Sequence, residues 1–263
     1  MSKPGKKWPG SKAASGTVQK LINEIPPHDH YVAAFAGADQ IGQQKLAARL
    51  STYIDPQVEA LKELQAALWP AEHEVDLIRG DAFAWLPAFF NLDRWPQPPT
   101  PRPPAEPLAS LTLSIFDGIG GPLPPDLAAF VYIDPPYPLH ARSGKRIYGD
   151  HELTDEQHDQ LVDIARRLPC PTMISCYDCE PYKTGLADWR RLEYFTQTHG
   201  GRKLEVAWMN YPRPPRLHDS RFVGQNKRQR ERIRRRVRNW AAGLERMTPH
   251  ERQAVEDAIA RQQ

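Results

Sequence analysis

Short apolar runs recur along the chain, and amphipathic stretches separate them. Most runs end at glycine, proline or an acid, which is typical of a buried strand followed by a turn. The runs predict seven strands, within residues 30–38, 51–55, 75–83, 127–133, 171–175, 191–197 and 203–211. Helical spacing or capping signals predict helices at 18–25, from 56, at 155–167, from 221 and from 249. Strands that alternate with helices predict an α/β fold with a doubly wound sheet.

The apolar run Leu127–Ile133 carries the clearest chemical signal, because it stops at an Asp-Pro-Pro-Tyr tetrapeptide, residues 134–137. Proline cannot donate to a strand ladder, so the strand must end there. In an open α/β sheet, ligands bind just beyond the carboxyl ends of the parallel strands. The tetrapeptide is therefore predicted to lie where a ligand binds.

An Asp-Pro-Pro-Tyr turn suits chemistry on the amino group of a nucleobase. That nitrogen is a poor nucleophile, because its lone pair is delocalised into the ring. The carboxylate of Asp134 and the carbonyl of Pro135 can accept its two N–H bonds, and Pro136 helps to fix the backbone before the base arrives. Tyr137 can stack on a base that has rotated out of the duplex. The alternative is a plain proline turn in which Tyr137 is only packed.

The tetrapeptide resembles that of the amino-methyltransferases, and the order of the motifs resembles the DNA adenine methylase family, the Dam-like, alpha-group adenine-N6-specific enzymes. In that family an N-terminal Trp-Pro-Gly-Ser-Lys segment helps to hold S-adenosylmethionine, which implies cofactor contacts for Trp8, Gly10 and Lys12. A Phe-x-Gly turn after the first strand cradles the methionine part of the cofactor. The corresponding residues here are Phe35, Ala36 and Gly37.

Further strand ends complete the cofactor site that the resemblance implies. In the family an acid after the second strand binds the ribose of the cofactor, and Asp55 occupies that place. Gly-Asp-Ala-Phe after the third strand resembles the segment that contacts the cofactor's adenine, which implicates Asp81 and Ala82. Asp134 completes this site from the fourth strand. The N-terminal segment is alternatively a basic tail, and the acids at 55 and 81 are alternatively helix caps, a role that can coexist with ligand binding.

The resemblance implies a Rossmann-like, doubly wound methyltransferase sheet of seven strands whose last strand is antiparallel. The chain departs from the family in two places. Asp39 stands where the family commonly has a second glycine after Phe-x-Gly. The family also inserts a helical target-recognition domain before the fourth strand, whereas residues 94–125 here are a proline-studded linker. We therefore expect a methyltransferase domain at 1–218 without this insert, and a basic helical tail at 219–263.

Charge is unevenly distributed in a chain that is nearly neutral on average, with 35 basic and 32 acidic residues. Between Arg221 and Arg238 the cations face one acid, Glu231, so this helix is predicted to bind phosphates. A basic loop follows the tetrapeptide, and a glycine turn with two cations joins the last two strands. Solvated charged surfaces are the alternative for the helix and the loop. The residues predicted to contact DNA are Arg142, Lys145, Arg146, Arg202, Lys203, Arg228, Arg234, Arg235 and Arg236.

The cysteines and the hydropathy pattern bear on metal binding and on the cellular compartment. The three cysteines do not make a disulfide framework, and the pair Cys176 and Cys179 has too few additional ligands for a metal site. We therefore expect no metal. No long apolar span or signal peptide is apparent, so we expect a cytoplasmic protein without membrane contact, associated with the nucleoid when it is on DNA.

Taken together, these patterns predict a site-specific methyltransferase that transfers a methyl group from S-adenosylmethionine to adenine N6 in double-stranded DNA. A cognate restriction nuclease is a candidate partner. Two alternatives stay open. The first is methylation of cytosine N4, since the tetrapeptide binds an amino group and not a ring. The second is a catalytically inactive DNA-binding relative; RNA as the substrate also stays open.

Overall fold

The computed structural model describes residues 16–68, 73–92, 128–142, 146–198 and 201–261. The strands are β1 His30–Ala34, β2 Leu50–Asp55, β3 Glu74–Arg79, β4 Ala129–Ile133, β5 Thr172–Tyr177, β6 Arg190–Thr198 and β7 Gly201–Met209. The α-helices are α1 Thr17–Ile22, α2 Gln40–Gln44, α3 Val58–Leu68, α4 Ala82–Phe89, α5 Asp155–Arg167, α6 Tyr182–Gly185, α7 Lys227–Glu245 and α8 Pro249–Ala260. Short 3-10 turns occupy Leu139–Ala141, Gly149–His151 and Ser220–Phe222. The predicted proline-rich linker at 94–125 lies outside the described residues.

All seven of these strands form one sheet, in the order β3-β2-β1-β4-β5-β7-β6. The pairs β3–β2, β2–β1, β1–β4 and β4–β5 are parallel, whereas β7 runs antiparallel to both of its neighbours. The chain winds outward from β1 to β3, then returns to β4 on the other side of β1. The expected fold is confirmed: the protein has a doubly wound, Rossmann-like sheet of seven strands with the last strand reversed.

The two central strands, β1 and β4, are buried at every position. Strands covered on both faces must be apolar throughout, which explains why their sequences show continuous runs instead of alternation. On one face, Ile133 packs in a single buried cluster with Leu161 of α5 and Trp208 of β7. Helix α5 begins at a capping box in which Thr154 and Gln157 each accept from the other's backbone N–H group.

The register of the parallel strands brings three motif segments to one edge of the sheet. Ala34, the last residue of β1, lies opposite Ile54 in β2 and Ile133 in β4. The turn after β1, together with Asp55 and Asp134, therefore emerges at the same carboxyl edge. Because the direction of winding changes between β1 and β4, this edge is also the switch point at which open α/β sheets bind ligands.

The hairpin of β6 and β7 extends beyond the other strands. β7 pairs with β5 only from Glu205 to Met209, whereas it pairs with β6 from Gly201 onward. Residues 201–204 and their partners in β6 thus continue as a two-stranded ribbon past Tyr177, the last residue of β5.

The chain divides into two compact units, Met1–Asp219 and Ser220–Gln263. In the second unit, the Asn226 side chain caps α7 by accepting from the N–H group of Gln229 at 2.9 Å. A capping box with Pro249 in the first turn begins α8. Neither helix has a buried residue within this part of the chain. None of the described helices is long and apolar enough to cross a membrane.

Candidate active site at the carboxyl edge of the sheet

The turn after β1 has an unusual backbone at two of its three motif positions. Phe35 and Gly37 have φ values of 57° and 49°, in the left-handed region. Glycine reaches this region without strain, but a phenylalanine there costs conformational energy that the surrounding structure must offset. The N–H group of Ala36 donates to the Ile54 carbonyl at 2.9 Å, which fixes the turn to β2. The small residues therefore form a tight, ordered turn where a ligand can approach the backbone.

Asp55, at the end of β2, holds this turn in place through hydrogen bonds. Its Oδ2 accepts from the N–H group of Gly37 and its Oδ1 from that of Gln57, each at 2.8 Å. Burial raises the pKa of Asp55, while these two bonds and the nearby His151 lower it. The bond to Gln57 lies just before α3, which begins at Val58, so Asp55 fixes the turn that leads into the helix. Each carboxylate oxygen has a further lone pair, so these bonds do not prevent Asp55 from also accepting from a ligand hydroxyl.

The family's missing second glycine is explained by the position of Asp39. This side chain is buried beneath the turn, where it caps α2 through the N–H group of Ile41 at 3.0 Å and accepts from the Tyr31 hydroxyl at 2.8 Å. Burial raises the pKa of Asp39 to about 6. Within α2, position 42 favours glycine, because a Cβ there would lie 2.5 Å from Asp39 Oδ2 and 2.6 Å from the Tyr53 hydroxyl oxygen. Gly42 was not identified from the sequence.

The segment after β3 joins the same edge. Asp81 is exposed and caps α4 by accepting from the N–H group of Phe83 at 2.9 Å. The next residue, Ala82, is buried. The rings of Phe83 and Phe35 meet edge to face with their centroids 5.7 Å apart. The structure thus brings the predicted cofactor residues after β1, β2 and β3 together, whereas Trp8, Gly10 and Lys12 lie outside the described residues.

Asp134 is half-buried at the end of β4, and its side chain is held by hydroxyl groups. Its backbone N–H group donates to the Ala34 carbonyl at 3.3 Å, so the motif starts beside the turn after β1. Ser175 in β5 donates its hydroxyl hydrogen to Asp134 Oδ1 at 2.9 Å. The Tyr132 hydroxyl lies 2.8 Å from the Ser175 oxygen, which orients Ser175 in turn. The carboxylate is therefore fixed in direction before any substrate binds.

Tyr137 turns inward from the same motif and is only 4% exposed. Its hydroxyl donates to Glu205 Oε2 at 2.9 Å and lies 3.4 Å from Asp134 Oδ1. Burial, followed by the charges of Asp134 and Glu205, raises the pKa of Tyr137 well above its ordinary value, so the hydroxyl stays protonated. The ring packs edge to face on Tyr177, with centroids 4.6 Å apart. Stacking on an extruded base would require part of this cover to move, and it stays a prediction.

Two residues of this network, Ser175 and Glu205, were not identified from the sequence. Glu205 is 3% exposed in β7, and its other carboxylate oxygen accepts from the Thr196 hydroxyl at 2.6 Å. The sequence offered one signal for each residue: Ser175 ends the predicted strand 171–175, and Glu205 is an acid near the start of the predicted strand 203–211. Pro135 is buried and Pro136 half-buried between these groups, as a rigid turn requires.

The described residues of the loop after the motif interact electrostatically with both carboxylates. Burial and then the charge of Asp134 raise the pKa of Tyr148, and the charge of His151 acts on Asp55. The loop itself is fixed by an ion pair: Arg142 binds Glu152 through both of its terminal nitrogens, with 7% and 6% of their side chains exposed. Arg142 is thus held in an internal ion pair, and its predicted DNA contact stays a prediction.

The other predicted DNA-binding residues lie at three separate places. Arg146 is exposed in the loop, and Lys145 lies outside the described residues. Arg202 and Lys203 are exposed on the ribbon of β6 and β7, where the Arg202 guanidinium stacks 3.8 Å above the Phe195 ring. In the second unit, the predicted DNA-binding residues of α7 are all exposed: Arg228, Arg234, Arg235 and Arg236. Arg234 also donates through Nε to the Arg221 carbonyl at 3.1 Å.

The described residues contain no group of three or more His, Cys, Asp or Glu side chains that could hold a metal ion. Cys170, Cys176 and Cys179 are free thiols. Burial and the neighbouring Cys179 raise the pKa of the Cys176 thiol well above its ordinary value.

No protein-family model matches the chain, and no curated protein matches it. Similar solved structures include a putative RNA methyltransferase from Pyrococcus horikoshii, with 10% identity, a TM-score of 0.46 and coverage of 79% of this chain and 87% of that one. TrmK from M. capricolum, in complex with S-adenosyl-homocysteine, has 8% identity, a TM-score of 0.41 and 94% coverage of both chains. Magnesium protoporphyrin IX methyltransferase from Synechocystis has 11% identity, a TM-score of 0.41 and coverage of 74% and 78%. Function must be inferred from the side chains at the site.

Replacing Arg142 by Ala should destabilise the fold, because it leaves the Glu152 carboxylate buried without its cation. Burial alone would raise the pKa of Glu152, but the hydrogen bonds from Arg142 hold it below its ordinary value. Removing one partner of a buried pair costs on the order of 3 kcal/mol, which urea unfolding can measure. Arg146→Ala is the control: this exposed neighbour should change the free energy of unfolding by less than about 0.5 kcal/mol. If Arg142→Ala is as stable as the wild type but binds DNA more weakly, the result would instead support the predicted DNA contact of Arg142.

Proposed function

We propose that this protein transfers a methyl group from S-adenosylmethionine to the N6 amino group of adenine in double-stranded DNA. The observation that carries the proposal is the Asp-Pro-Pro-Tyr turn at the switch point of the sheet. Asp134 stands there with its carboxylate oriented by Ser175, directly beside the turn after β1. A fixed acceptor next to a cofactor turn is what transfer to an amino group requires.

The residues at the carboxyl edge fit S-adenosylmethionine. Gly37 has φ +49°, and a Cβ there would contact only the Phe35 carbonyl oxygen, at 4.0 Å, so the backbone is open to a close approach. Asp55 offers its remaining lone pairs to the ribose hydroxyls, and Asp81 lies at the neighbouring strand end. Phe35 and Phe83 present apolar ring surface beside them. These contacts follow the order of strand ends that doubly wound nucleotide sites use.

The protein's own part in the reaction is to prepare the amino nitrogen. Bound S-adenosylmethionine supplies an electrophilic methyl group. Asp134 accepts one N–H bond of the adenine amino group and the carbonyl of Pro135 accepts the other, so the nitrogen moves towards sp3 and its lone pair becomes available. As the nitrogen gains positive charge, the fixed carboxylate stabilises it without reorganisation. The surplus proton then leaves to solvent, and no separate general base is needed.

The choice of DNA as substrate is supported by the distribution of exposed cations. Helix α7 carries arginines around most of its circumference, in a spacing that suits a strip of backbone phosphates. In the first unit, Arg146 is exposed in a loop and Arg202 and Lys203 are exposed at the start of β7, and we assign all three to the choice of site. The adenine ring, in preference to cytosine, follows from the family whose motif order the chain resembles.

Asp55→Ala should weaken S-adenosylmethionine binding by about tenfold or more, because it removes both the fastening of the Gly37 turn and the ribose acceptor. DNA affinity should stay unchanged. Isothermal calorimetry with the cofactor, and anisotropy with duplex DNA, measure the two affinities. Glu59→Gln is the control, since it removes an exposed acid from the first turn of the adjacent helix. Equal cofactor affinities in all three proteins would leave Asp55 as a cap alone.

Asp134→Ala should lower the rate of methyl transfer by roughly 10²–10³-fold, the usual cost of losing one oriented transition-state hydrogen bond. DNA affinity and the thermal midpoint should change little. The assay is transfer of labelled methyl groups to DNA from a methylation-free host, followed by nucleoside analysis. Asp150→Ala, an exposed acid in the nearby loop, serves as the control. N4-methylcytosine in place of N6-methyladenine would change the assigned base, and a wild-type rate in Asp134→Ala would refute the mechanism.

The triple replacement of Arg228, Arg235 and Arg236 by Gln should raise the Kd for all DNA sequences alike. For every phosphate that the variant no longer neutralises, the slope of log K against log salt should become shallower by about 0.9. Arg234 stays, because it also bonds the Arg221 carbonyl.

The matched control removes three exposed cations from the first unit, and is expected to leave the salt slope as in the wild type: Lys20, Arg49 and Lys62, each to Gln. Direct sequencing of modified bases should find the same methylated site in the triple variant as in the wild type. A different site would mean that α7 recognises bases.

A further inference from the structure

Glu205 is a buried acid that the proposed reaction does not yet use. Both of its oxygens accept from hydroxyl groups, Tyr137 at 2.9 Å and Thr196 at 2.6 Å. None of the ion pairs between described residues includes it. Burying a carboxylate in this way is costly compared with an apolar side chain of similar volume. A role for its charge at the neighbouring motif would account for that cost.

The two carboxylates compete for one hydrogen. The Tyr137 hydroxyl lies between them, 2.9 Å from Glu205 Oε2 and 3.4 Å from Asp134 Oδ1. A hydroxyl has a single hydrogen to donate, and the shorter separation favours Glu205. Burial and the two negative charges keep Tyr137 protonated by raising its pKa, so the hydrogen is present under all ordinary conditions.

Whether the Tyr137 hydroxyl donates to Glu205 or to Asp134 changes how well Asp134 can accept a further hydrogen bond. A carboxylate that already accepts strong hydrogen bonds has less negative charge to offer to a further donor. The methyl-transfer motif needs Asp134 as an acceptor for an amino N–H bond. If Tyr137 turned fully towards Asp134, this acceptor would be weakened.

We propose that Glu205 is a positioning residue for methyl transfer: it takes the Tyr137 hydrogen and thereby keeps Asp134 available to the substrate amino group. The inference rests on the function proposed above and adds a residue outside the tetrapeptide to it. Glu205 acts through Tyr137 and does not touch the substrate. Its substitution should therefore change the rate of the chemical step and not the binding of cofactor or DNA.

Glu205→Gln in the full-length protein tests this role. The amide keeps the shape of the side chain but is a weaker acceptor, so kcat should fall about tenfold. KM for DNA and for S-adenosylmethionine should stay within about twofold of wild type. Glu193→Gln is the matched control, since Glu193 lies on the neighbouring strand with an exposed side chain and should leave kcat unchanged.

A double-mutant cycle separates positioning from packing. In the Tyr137→Phe background there is no hydroxyl to direct, so Glu205→Gln should change kcat by less than about twofold. Glu205→Asp keeps the charge but withdraws it from Tyr137, and should lose rate as Glu205→Gln does. Glu205→Asp also provides the test if the Glu205→Gln variant does not fold.

A wild-type kcat in the folded Gln and Asp variants would overturn the inference. The same holds if the decrease in kcat is equal in the presence and absence of the Tyr137 hydroxyl, which would indicate a purely structural effect. Failure of the proposed function has a different signature: the wild-type protein itself would transfer no methyl group to DNA, and the inference would fall with it.

Discussion

Buried carboxylates at the carboxyl edge need hydrogen-bond donors, and the geometry of the candidate site depends on how that need is met. Asp39 and Asp55 take backbone N–H groups at the starts of helices, and Glu205 takes hydroxyls from neighbouring strands. In each case the acid accepts hydrogen bonds from two separate segments of the chain. These bonds hold the tight turn after β1 and the inward position of Tyr137.

Hydroxyl and backbone N–H groups donate to these carboxylates and thereby fix their directions. The site is partly desolvated, and charge interactions in such a place are stronger than in water. Oriented acceptors of this kind suit the reaction that we propose, in which positive charge begins on a sulfonium and passes to an amino nitrogen. Burial and the nearby carboxylates raise the pKa values of Tyr132, Tyr137 and Tyr194 and keep these tyrosines neutral.

How much the sequence could reveal depends on how local each signal is. A strand that ends in an acid and two prolines is a local pattern, so the position of Asp134 and the edge itself were predictable. Ser175 and Glu205 reach the motif from strands 41 and 68 residues away, and only the order of the sheet brings them there. Arg142 was predicted to contact DNA, but charge alone cannot show that a loop will fold it against Glu152. The cap of α8 is a short-range signal and was predicted, whereas α7 begins at Lys227 behind an Asn226 cap, later than the predicted start at Arg221.

The reversed last strand has a consequence for how a substrate reaches the motif. Because β7 enters the sheet at Glu205, its first residues, Gly201–Leu204, stand with their β6 partners beyond the edge at which the parallel strands stop. At about 3.4 Å per residue, this ribbon rises roughly 13 Å above that edge. It carries Arg202, whose guanidinium stacks on the exposed Phe195 ring. For the DNA substrate that we propose, the hairpin that completes the sheet therefore also provides an exposed cation and an aromatic ring beyond the carboxyl edge, where backbone phosphates and bases could be bound.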